Sequence, residues 1–195
     1  MKEIIFFSNN QNKIMEINTL FHNSPFKILN LNNFKKIKSP KESGKTFEEN
    51  SKIKSSYGHK ILKTKCFADD SGICIKSMKN KPGVQSKRFI EKNVSILNAL
   101  EKILAFVHKS KNNEAFFQTS VCLSLDKNRH IFFNGIIKGF ISKKIRGNNG
   151  FGYDPIFIPE NHDKTFAEMS IEEKNLFSHR SIAVRKLKKY LFNLV

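Results

Sequence analysis

Short apolar segments alternate along this chain with longer segments whose apolar residues recur every three or four positions. Residues 4–7 form the first short segment and indicate a buried strand. A polar break at residues 8–13 follows, and then Ile14, Ile17 and Leu20 lie on one face of a predicted helix. The same alternation continues to a C-terminal helix, so the chain is predicted to be an α/β protein with a mixed sheet.

The charge of the chain is strongly positive, with 35 Lys and Arg residues against 17 Asp and Glu residues and a formal net charge of +18. Such a charge suggests a polyanion partner: nucleic acid, an anionic membrane surface or a phosphorylated small molecule. The alternative is a compositional bias that adds lysines to a solvated surface, and the even spread of lysine along the chain favours this alternative. The length of 195 residues predicts one domain, covering 1–195.

Cysteine content and the lengths of the apolar runs indicate in which compartment of the cell the protein is expected. Cys66, Cys74 and Cys122 are odd in number and widely spaced, which argues against a disulfide framework and against a zinc site. They are expected to be reduced core residues of a cytoplasmic protein. No apolar stretch approaches the roughly 18 residues of a membrane-spanning helix, so no membrane partner is expected.

A second predicted helix begins after Thr46, which forms a capping-box pattern with Glu49, and extends to about Leu62. Its apolar face includes two polar residues, Asn50 and Lys54. Such residues either meet a ligand or a charged partner, or they are a satisfied amide and a lysine whose ammonium reaches solvent. Spacing alone favours the second interpretation.

The polar break at residues 8–13 lies between a strand and a helix, where unpaired backbone N–H groups favour an anion. Ser8 and Asn10 can donate hydrogen bonds to phosphate oxygens, and Lys13 adds a full positive charge. The segment lacks the glycines of a Walker loop. An N-cap beside a surface lysine explains it equally well.

Adjacent carboxylates at Asp69 and Asp70 interrupt residues 66–78, which are predicted to form two short strands on either side of residues 68–72. Paired carboxylates repel each other, so they usually serve Mg²⁺ binding or base chemistry unless both face water. Because neighbours on a strand point to opposite faces, one carboxylate is expected at a cleft and the other is expected to brace the loop. Glu42, in the loop before the second helix, is a further candidate carboxylate.

A glycine-rich segment at residues 146–155 permits positive φ angles and the close approach of a ligand. Phe151 and Tyr153 either present a ring to a flat base or are core aromatics of a glycine-rich turn. Near the C-terminus, His179 and Arg180 offer further hydrogen-bond donors.

In their order along the chain, these motifs resemble those of the inosine triphosphate pyrophosphatase family, the Ham1-like non-canonical purine nucleoside triphosphate pyrophosphatases of bacterial type. The resemblance runs from about Ile4 to Leu191. The motifs that carry it are residues 8–13, Glu42, Thr46-Phe47-x-Glu49-Asn50, Lys54, Ala68-Asp69-Asp70-Ser71-Gly72-Ile73, Pro82-Gly83-Val84, Gly147-x-x-Gly150-Phe151-Gly152-Tyr153-Asp154-Pro155-Ile156-Phe157, Thr165-x-Ala167-Glu168, Glu173-Lys174-Asn175 and Ser178-His179-Arg180.

The resemblance implies an elongated α/β fold with a mixed twisted sheet, flanking helices and a deep central substrate cleft. It implies hydrolysis of ITP, dITP, XTP and dXTP to the monophosphate and pyrophosphate, with one or more Mg²⁺ ions, which keeps these nucleotides out of DNA and RNA. It also implies that the protein is a cytoplasmic homodimer and that it binds a purine nucleotide as its substrate. No specific binding of nucleic acid is expected.

The resemblance further assigns roles to single residues. Asp70 would be the catalytic carboxylate that orients or deprotonates water, and Glu42 would hold Mg²⁺ together with Asp70. Phe151 would stack on the purine. The phosphates would be bound by Ser8, Asn9, Asn10, Gln11, Asn12, Lys13 and Lys54. The remaining substrate-binding residues would be Ser71, Gly152, Tyr153, Asp154, Lys174, His179 and Arg180, and the last four would frame the base edge.

Some positions depart from the usual family pattern. Asn9 and Asn12 stand where relatives often have glycine, and Gln85 and Lys87 replace a more usual aromatic residue and alanine. These departures concern substrate preference more than activity, because the carboxylates are retained. The competing hypothesis is a basic nucleic-acid-binding protein without hydrolase activity, for which the net charge is the argument.

Overall fold

The computed structural model describes residues 2–34 and 37–194. Within these residues the chain forms seven β-strands and six α-helices. The strands are β1 (Lys2–Phe6), β2 (Phe26–Asn30), β3 (Cys66–Ile75), β4 (Lys81–Pro82), β5 (Glu114–Ser124), β6 (His130–Ile141) and β7 (Phe157–Pro159). The helices are α1 (Gln11–Phe21), α2 (Phe47–Leu62), α3 (Ser86–Glu91), α4 (Ile96–Ser110), α5 (Ile171–Asn175) and α6 (His179–Asn193).

The strands form one mixed sheet. They hydrogen-bond in the order β2-β1-β3-β5-β6-β7, with β4 paired to β3. Strand β1 runs parallel to β2 and to β3, whereas β4 is antiparallel to β3 and β7 is antiparallel to β6. The predicted α/β class with a mixed sheet and flanking helices is therefore confirmed.

The chain separates into two compact units. The first unit consists of Met1–Asp70, Thr119–Gly135 and Arg180–Val195, and the second consists of Ser71–Gln118 and Ile136–His179. Single-domain organisation over 1–195 stays a prediction.

Helices α1 and α6 pack on one face of the first unit's strands. Ile4 and Phe6 of β1 and Phe67 of β3 are buried there, against Ile17 of α1 and Leu187 of α6. Successive residues of a strand point to opposite faces, so these strand residues mark one side of the sheet.

Helix α2 packs on the other face of the same strands. Ile5 and Phe7 of the β1 segment and Ala68 of β3 are buried there, with Tyr57 and Leu62 of α2 packed against them. This alternation places Asp69 on the side of Phe67, facing α1 and α6, and Asp70 on the side of Ala68, facing α2.

The predicted break in the third strand is wrong, because residues 66–75 form one continuous strand, β3. Asp69 and Asp70 are both buried within it. Two carboxylates remain in a buried strand because each one has cationic or amide partners on its own face, as described below.

The second unit has an apolar core of its own. Its buried residues come from β3, α4, β5, β6 and the segments around β7, and they include Ile73, Leu100, Ile103, Phe117, Tyr153, Ile156, Phe157 and Phe166.

The three thiols of the chain are buried and free, as predicted, and burial raises the pKa of Cys74 to about 11. Among the described residues, no helix is both long enough and apolar enough to cross a bilayer.

Candidate active site

The turn between β1 and α1 is a capped helix start. The side-chain oxygen of Asn10 accepts a hydrogen bond from the Lys13 backbone N–H at 3.1 Å, and the Ser8 hydroxyl oxygen accepts one from the Asn10 N–H at 3.2 Å. The predicted N-cap is thus confirmed, but the prediction of a surface lysine beside it is wrong, because the Lys13 ammonium pairs with the buried Asp69 carboxylate. Asn9, Asn10 and Gln11 are exposed. Their role in phosphate binding stays a prediction.

Lys13 begins a chain of buried charges in the first unit. Its Nζ lies 2.9 Å from Asp69 Oδ2, and the Arg180 Nε lies 3.3 Å from the same oxygen. Arg180 also pairs with Glu16 of α1. Arg180, Glu16 and Asp69 are each at most 3% exposed, so water does not screen these ion pairs.

Burial and the neighbouring carboxylates shift the pKa values of Lys13 and Arg180 in opposite directions. Burial lowers the pKa of Lys13, although the Asp69 carboxylate opposes the shift. Burial would also lower the pKa of Arg180, but the carboxylates of Glu16 and Asp69 raise it. The structure therefore places the Arg180 guanidinium against two carboxylates of its own unit, and its contact with a base edge stays a prediction.

Lys54 of α2 lies between two carboxylates. Its Nζ is 2.7 Å from Glu42 Oε1 and 3.5 Å from Asp70 Oδ1. Asn50, one turn earlier on α2, donates from Nδ2 to Asp70 Oδ2 at 3.0 Å and accepts from the Gly44 N–H at 2.8 Å. The two polar residues on the apolar face of α2 therefore meet charged partners, and the interpretation that spacing alone favoured is wrong for Lys54.

The environment of Asp70 raises the pKa of its carboxyl group. Burial is the largest cause, and it outweighs the opposite effects of Lys54 and Lys13. For Lys54, burial opposes the charged form, but Asp70, Asp69 and Glu42 together raise its pKa. A carboxylate with a raised pKa is a better proton acceptor than one in water.

The donor set of Glu42 and Asp70 fits Mg²⁺. Within residues 2–34 and 37–194, no group of three or more His, Cys, Asp or Glu side chains forms a complete metal site. Mg²⁺ does not require one, because it is commonly held by one or two carboxylates together with substrate phosphates and water. Glu42 and Asp70 supply two carboxylates that share a single ammonium group.

The second unit holds an ion pair beside an aromatic ring. Lys174 Nζ lies 2.6 Å from Asp154 Oδ2, and both residues are at most 3% exposed. The same oxygen of Asp154 accepts from the Phe151 N–H at 2.8 Å. The Lys174 ammonium lies 5.2 Å from the centroid of the partly exposed Phe151 ring. Asp154 thus holds both the Lys174 ammonium and the backbone of Phe151 in place.

Two glycines give this segment its conformation. Gly150 has a φ of 71°, and a Cβ there would lie 2.1 Å from Asp154 Oδ2. Gly152 has a φ of 65° with open space around it, so its backbone angle alone favours glycine. The expected positive φ angles are confirmed.

Tyr153 and His179 are buried in the second unit. The Tyr153 hydroxyl donates to the Ser86 carbonyl at 2.7 Å, and burial raises the pKa of the phenol. The His179 ring stacks on Phe117 with 4.6 Å between ring centroids. The core alternative is therefore right for the Tyr153 ring, whereas Phe151 keeps part of its ring accessible.

The structure brings the expected site residues together in two sets. In the first unit, Lys13 and Arg180 contact Asp69. Lys54 contacts Glu42 and Asp70. The second unit collects Phe151, Asp154 and Lys174, and Ser71 follows Asp70 directly on β3. Glu16 was not among the expected residues, although its position three residues after Lys13 on α1 places it on the same side of that helix.

The buried carboxylate of Asp70, its neighbour Glu42 and the lysines beside them are the groups that a phosphate-ester hydrolase requires. Comparison with known proteins is consistent with this class. The model of the Ham1 family matches residues 4–190, and the chain belongs to that family.

Relatives cover the chain almost completely. A dITP/XTP pyrophosphatase of Flavobacterium johnsoniae is 40% identical over 185 residues, which are 95% of each chain. A Ham1 protein structure from Coxiella burnetii has a TM-score of 0.89 and 33% identity over 99% of this chain and all of that one. The Staphylococcus aureus Ham1 protein structure has a TM-score of 0.87 and 34% identity over the whole of both chains.

Proposed function

We propose that this protein hydrolyses the non-canonical purine nucleotides ITP, dITP, XTP and dXTP to the monophosphate and pyrophosphate, and so keeps them out of DNA and RNA. The observation that carries the proposal is the pair of carboxylates, Glu42 and Asp70, on the buried ammonium of Lys54. The name of the Flavobacterium johnsoniae relative, dITP/XTP pyrophosphatase, supports the substrate class.

Glu42 and Asp70 are the residues that would hold Mg²⁺ in this proposal. When bound, the ion would neutralise charge on the triphosphate oxygens and on the leaving pyrophosphate. Lys13 and Lys54 would add positive charge for the triphosphate oxygens.

Asp70 is the proposed proton acceptor. Water that attacks the α-phosphorus must lose a proton, and a carboxylate whose pKa is raised by burial accepts it well. The hydrogen bond from Asn50 fixes the orientation of that carboxylate, so less reorganisation is needed as the reaction proceeds.

The base is assigned to residues of the second unit. Phe151 has a partly exposed ring for stacking on the purine, and Lys174 is a buried donor beside it. Hypoxanthine and xanthine present an oxygen acceptor at position 6, whereas adenine presents an amino donor. An ammonium donor meets that amino group unfavourably, which would discriminate against adenine.

A nucleotide panel tests the proposed function directly. Release of pyrophosphate from ITP or XTP is expected to be at least about 100-fold faster in kcat/KM than release from ATP, because the site is built for a 6-oxo group. Activity should require added Mg²⁺ and should be lost in EDTA. Equal kcat/KM values for ITP, XTP, GTP and ATP, or no hydrolysis of any of them, would contradict the proposal.

The stacking role of Phe151 makes a separate prediction. Phe151→Ala is expected to lower kcat/KM for ITP by about 5- to 150-fold, the usual loss when one stacked aromatic ring is removed. Steady-state kinetics with ITP measures the change. Phe106→Ala removes a ring that is 48% exposed on α4 and serves as the control, since its kcat/KM should stay near wild type. Equal kinetics for the two variants would exclude stacking on Phe151.

The proposal also includes a cytoplasmic homodimer without a membrane partner and without specific nucleic-acid binding. The family resemblance supports these points, and light scattering of the purified protein measures the assembly. A monomer at micromolar concentration would remove the homodimer from the proposal.

A further inference from the structure

Ser86, the first residue of α3, is a buried hydrogen-bond junction in the second unit. It is 6% exposed, and its hydroxyl donates to the Gly83 carbonyl at 2.6 Å and accepts from the Ile73 backbone N–H at 3.1 Å. Its own carbonyl accepts from the Tyr153 hydroxyl at 2.7 Å. One serine therefore joins the second half of β3, the turn before α3 and the glycine-rich segment at residues 146–155.

The second half of β3 lies directly against the backbone of the turn before α3. A Cβ at Gly72 would lie 2.2 Å from the Gly83 carbonyl oxygen and 2.5 Å from Ser86 Oγ, so only glycine leaves room for this contact. The bond from the Ile73 N–H to Ser86 follows one residue later on the strand. The junction thus holds β3 immediately after Ser71, which is one of the expected substrate-binding residues.

Tyr153 connects the same junction to the segment assigned to the purine. It lies two residues after Phe151 and directly before Asp154. The Asp154 carboxylate in turn accepts from the Phe151 N–H and pairs with the Lys174 ammonium. A shift of Tyr153 would therefore displace both the ring and the ammonium that are assigned to the base.

The side chain of Tyr153 is poorly placed to bind a nucleotide itself. Its ring is 4% exposed and packs in the apolar core of the second unit, and its hydroxyl is bonded to the Ser86 carbonyl. Burial raises the pKa of the phenol, so the hydroxyl keeps the proton that it donates. The apolar core explains the ring, whereas the hydroxyl is explained by its bond to Ser86.

We infer that Ser86 is a positioning residue for purine binding, which acts through Tyr153 rather than by contact with the nucleotide. Its hydroxyl fixes the turn before α3 on β3, and its carbonyl fixes Tyr153, so the segment that carries Phe151 is held in one position relative to Ser71. Without these bonds the nucleotide would have to order the segment as it binds, which costs affinity. The inference rests on the proposed function, because it requires that Phe151 contacts the purine.

The test measures steady-state kinetics of Ser86→Ala and Tyr153→Phe with ITP at saturating Mg²⁺. Each variant is expected to raise KM by about 3- to 10-fold, the usual effect of losing a hydrogen bond. The value of kcat should stay within about twofold of wild type, because Asp70 and its partners are unchanged. The matched controls are Ser110→Ala, which removes a hydroxyl that donates to the backbone at the end of α4, and Tyr190→Phe on α6. Both controls should keep the wild-type KM.

Two further measurements separate positioning from a merely structural role. The Ser86→Ala/Tyr153→Phe double variant should raise KM by less than the product of the two single effects, because both changes act on one connection. Backbone amide signals of residues 150–154 in NMR spectra should shift in Ser86→Ala, although Ser86 and Tyr153 are 67 positions apart, and should not shift in Ser110→Ala. Thermal unfolding measures the stability of each variant.

The outcomes distinguish this inference from the proposed function. Tyr153→Phe keeps the buried ring, so it tests the connection even if Ser86→Ala does not fold. A wild-type KM in Tyr153→Phe, an equal rise of KM in the matched controls, or multiplicative effects in the double variant would each overturn the positioning role while the wild-type protein hydrolyses ITP. A wild-type protein that does not hydrolyse ITP would contradict the proposed function, and the inference would be overturned with it.

Discussion

Asp70→Asn is expected to lower kcat for pyrophosphate release from ITP by about 10²- to 10⁴-fold, the usual contribution of a positioned general base. The amide keeps the size of the side chain but cannot accept a proton from water. It also removes one of the two carboxylates on Lys54, so the proposed Mg²⁺ site loses a ligand. Steady-state kinetics at saturating Mg²⁺ measures the loss.

A surface carboxylate provides the control for this experiment. Asp163 is exposed in the second unit, so Asp163→Asn makes the same chemical change away from the site and should leave kcat within about twofold of wild type. Circular dichroism and thermal unfolding show whether Asp70→Asn is folded. A folded Asp70→Asn protein with wild-type turnover would contradict the role assigned to Asp70.

The second large effect concerns stability. Arg180→Leu is expected to lower the free energy of unfolding by about 3–5 kcal/mol, because it leaves the buried carboxylates of Glu16 and Asp69 without their guanidinium partner. Urea unfolding at neutral pH measures the change. Lys189→Leu alters an exposed cation on the same helix and should change the free energy by no more than about 0.5 kcal/mol.

A double-mutant cycle shows whether the loss comes from the ion pair. Glu16→Gln should destabilise the wild-type protein, but it should restore part of the stability of Arg180→Leu, because it removes one of the unpaired charges. Strictly additive changes in the unfolding free energy would mean that Glu16 and Arg180 are not energetically coupled.

Local signals in the sequence predicted where helices α1 and α2 begin. Thr46 caps α2 by accepting from the Glu49 N–H at 3.1 Å, as the pattern predicts. The reciprocal bond differs, because the Glu49 carboxylate accepts from the Lys45 N–H at 2.6 Å. Caps depend on four or five neighbouring residues, so they can be predicted without knowledge of the rest of the fold.

Such local signals could not predict contacts between distant parts of the chain. Arg180 and Glu16 are 164 positions apart, and neither residue type indicates the other. The same limit explains the error at β3, where two adjacent carboxylates suggested a turn. Lys13, Lys54 and Arg180, which lie beside these carboxylates in the fold, explain why both can be buried.

The two hydrogen bonds of Asn50 restrict what can replace it. One end of the amide accepts from the Gly44 backbone in the loop that carries Glu42, and the other end donates to Asp70. Aspartate offers no donor and would add a third negative charge, whereas leucine offers neither group. A single primary amide thus ties the position of one carboxylate to that of the other.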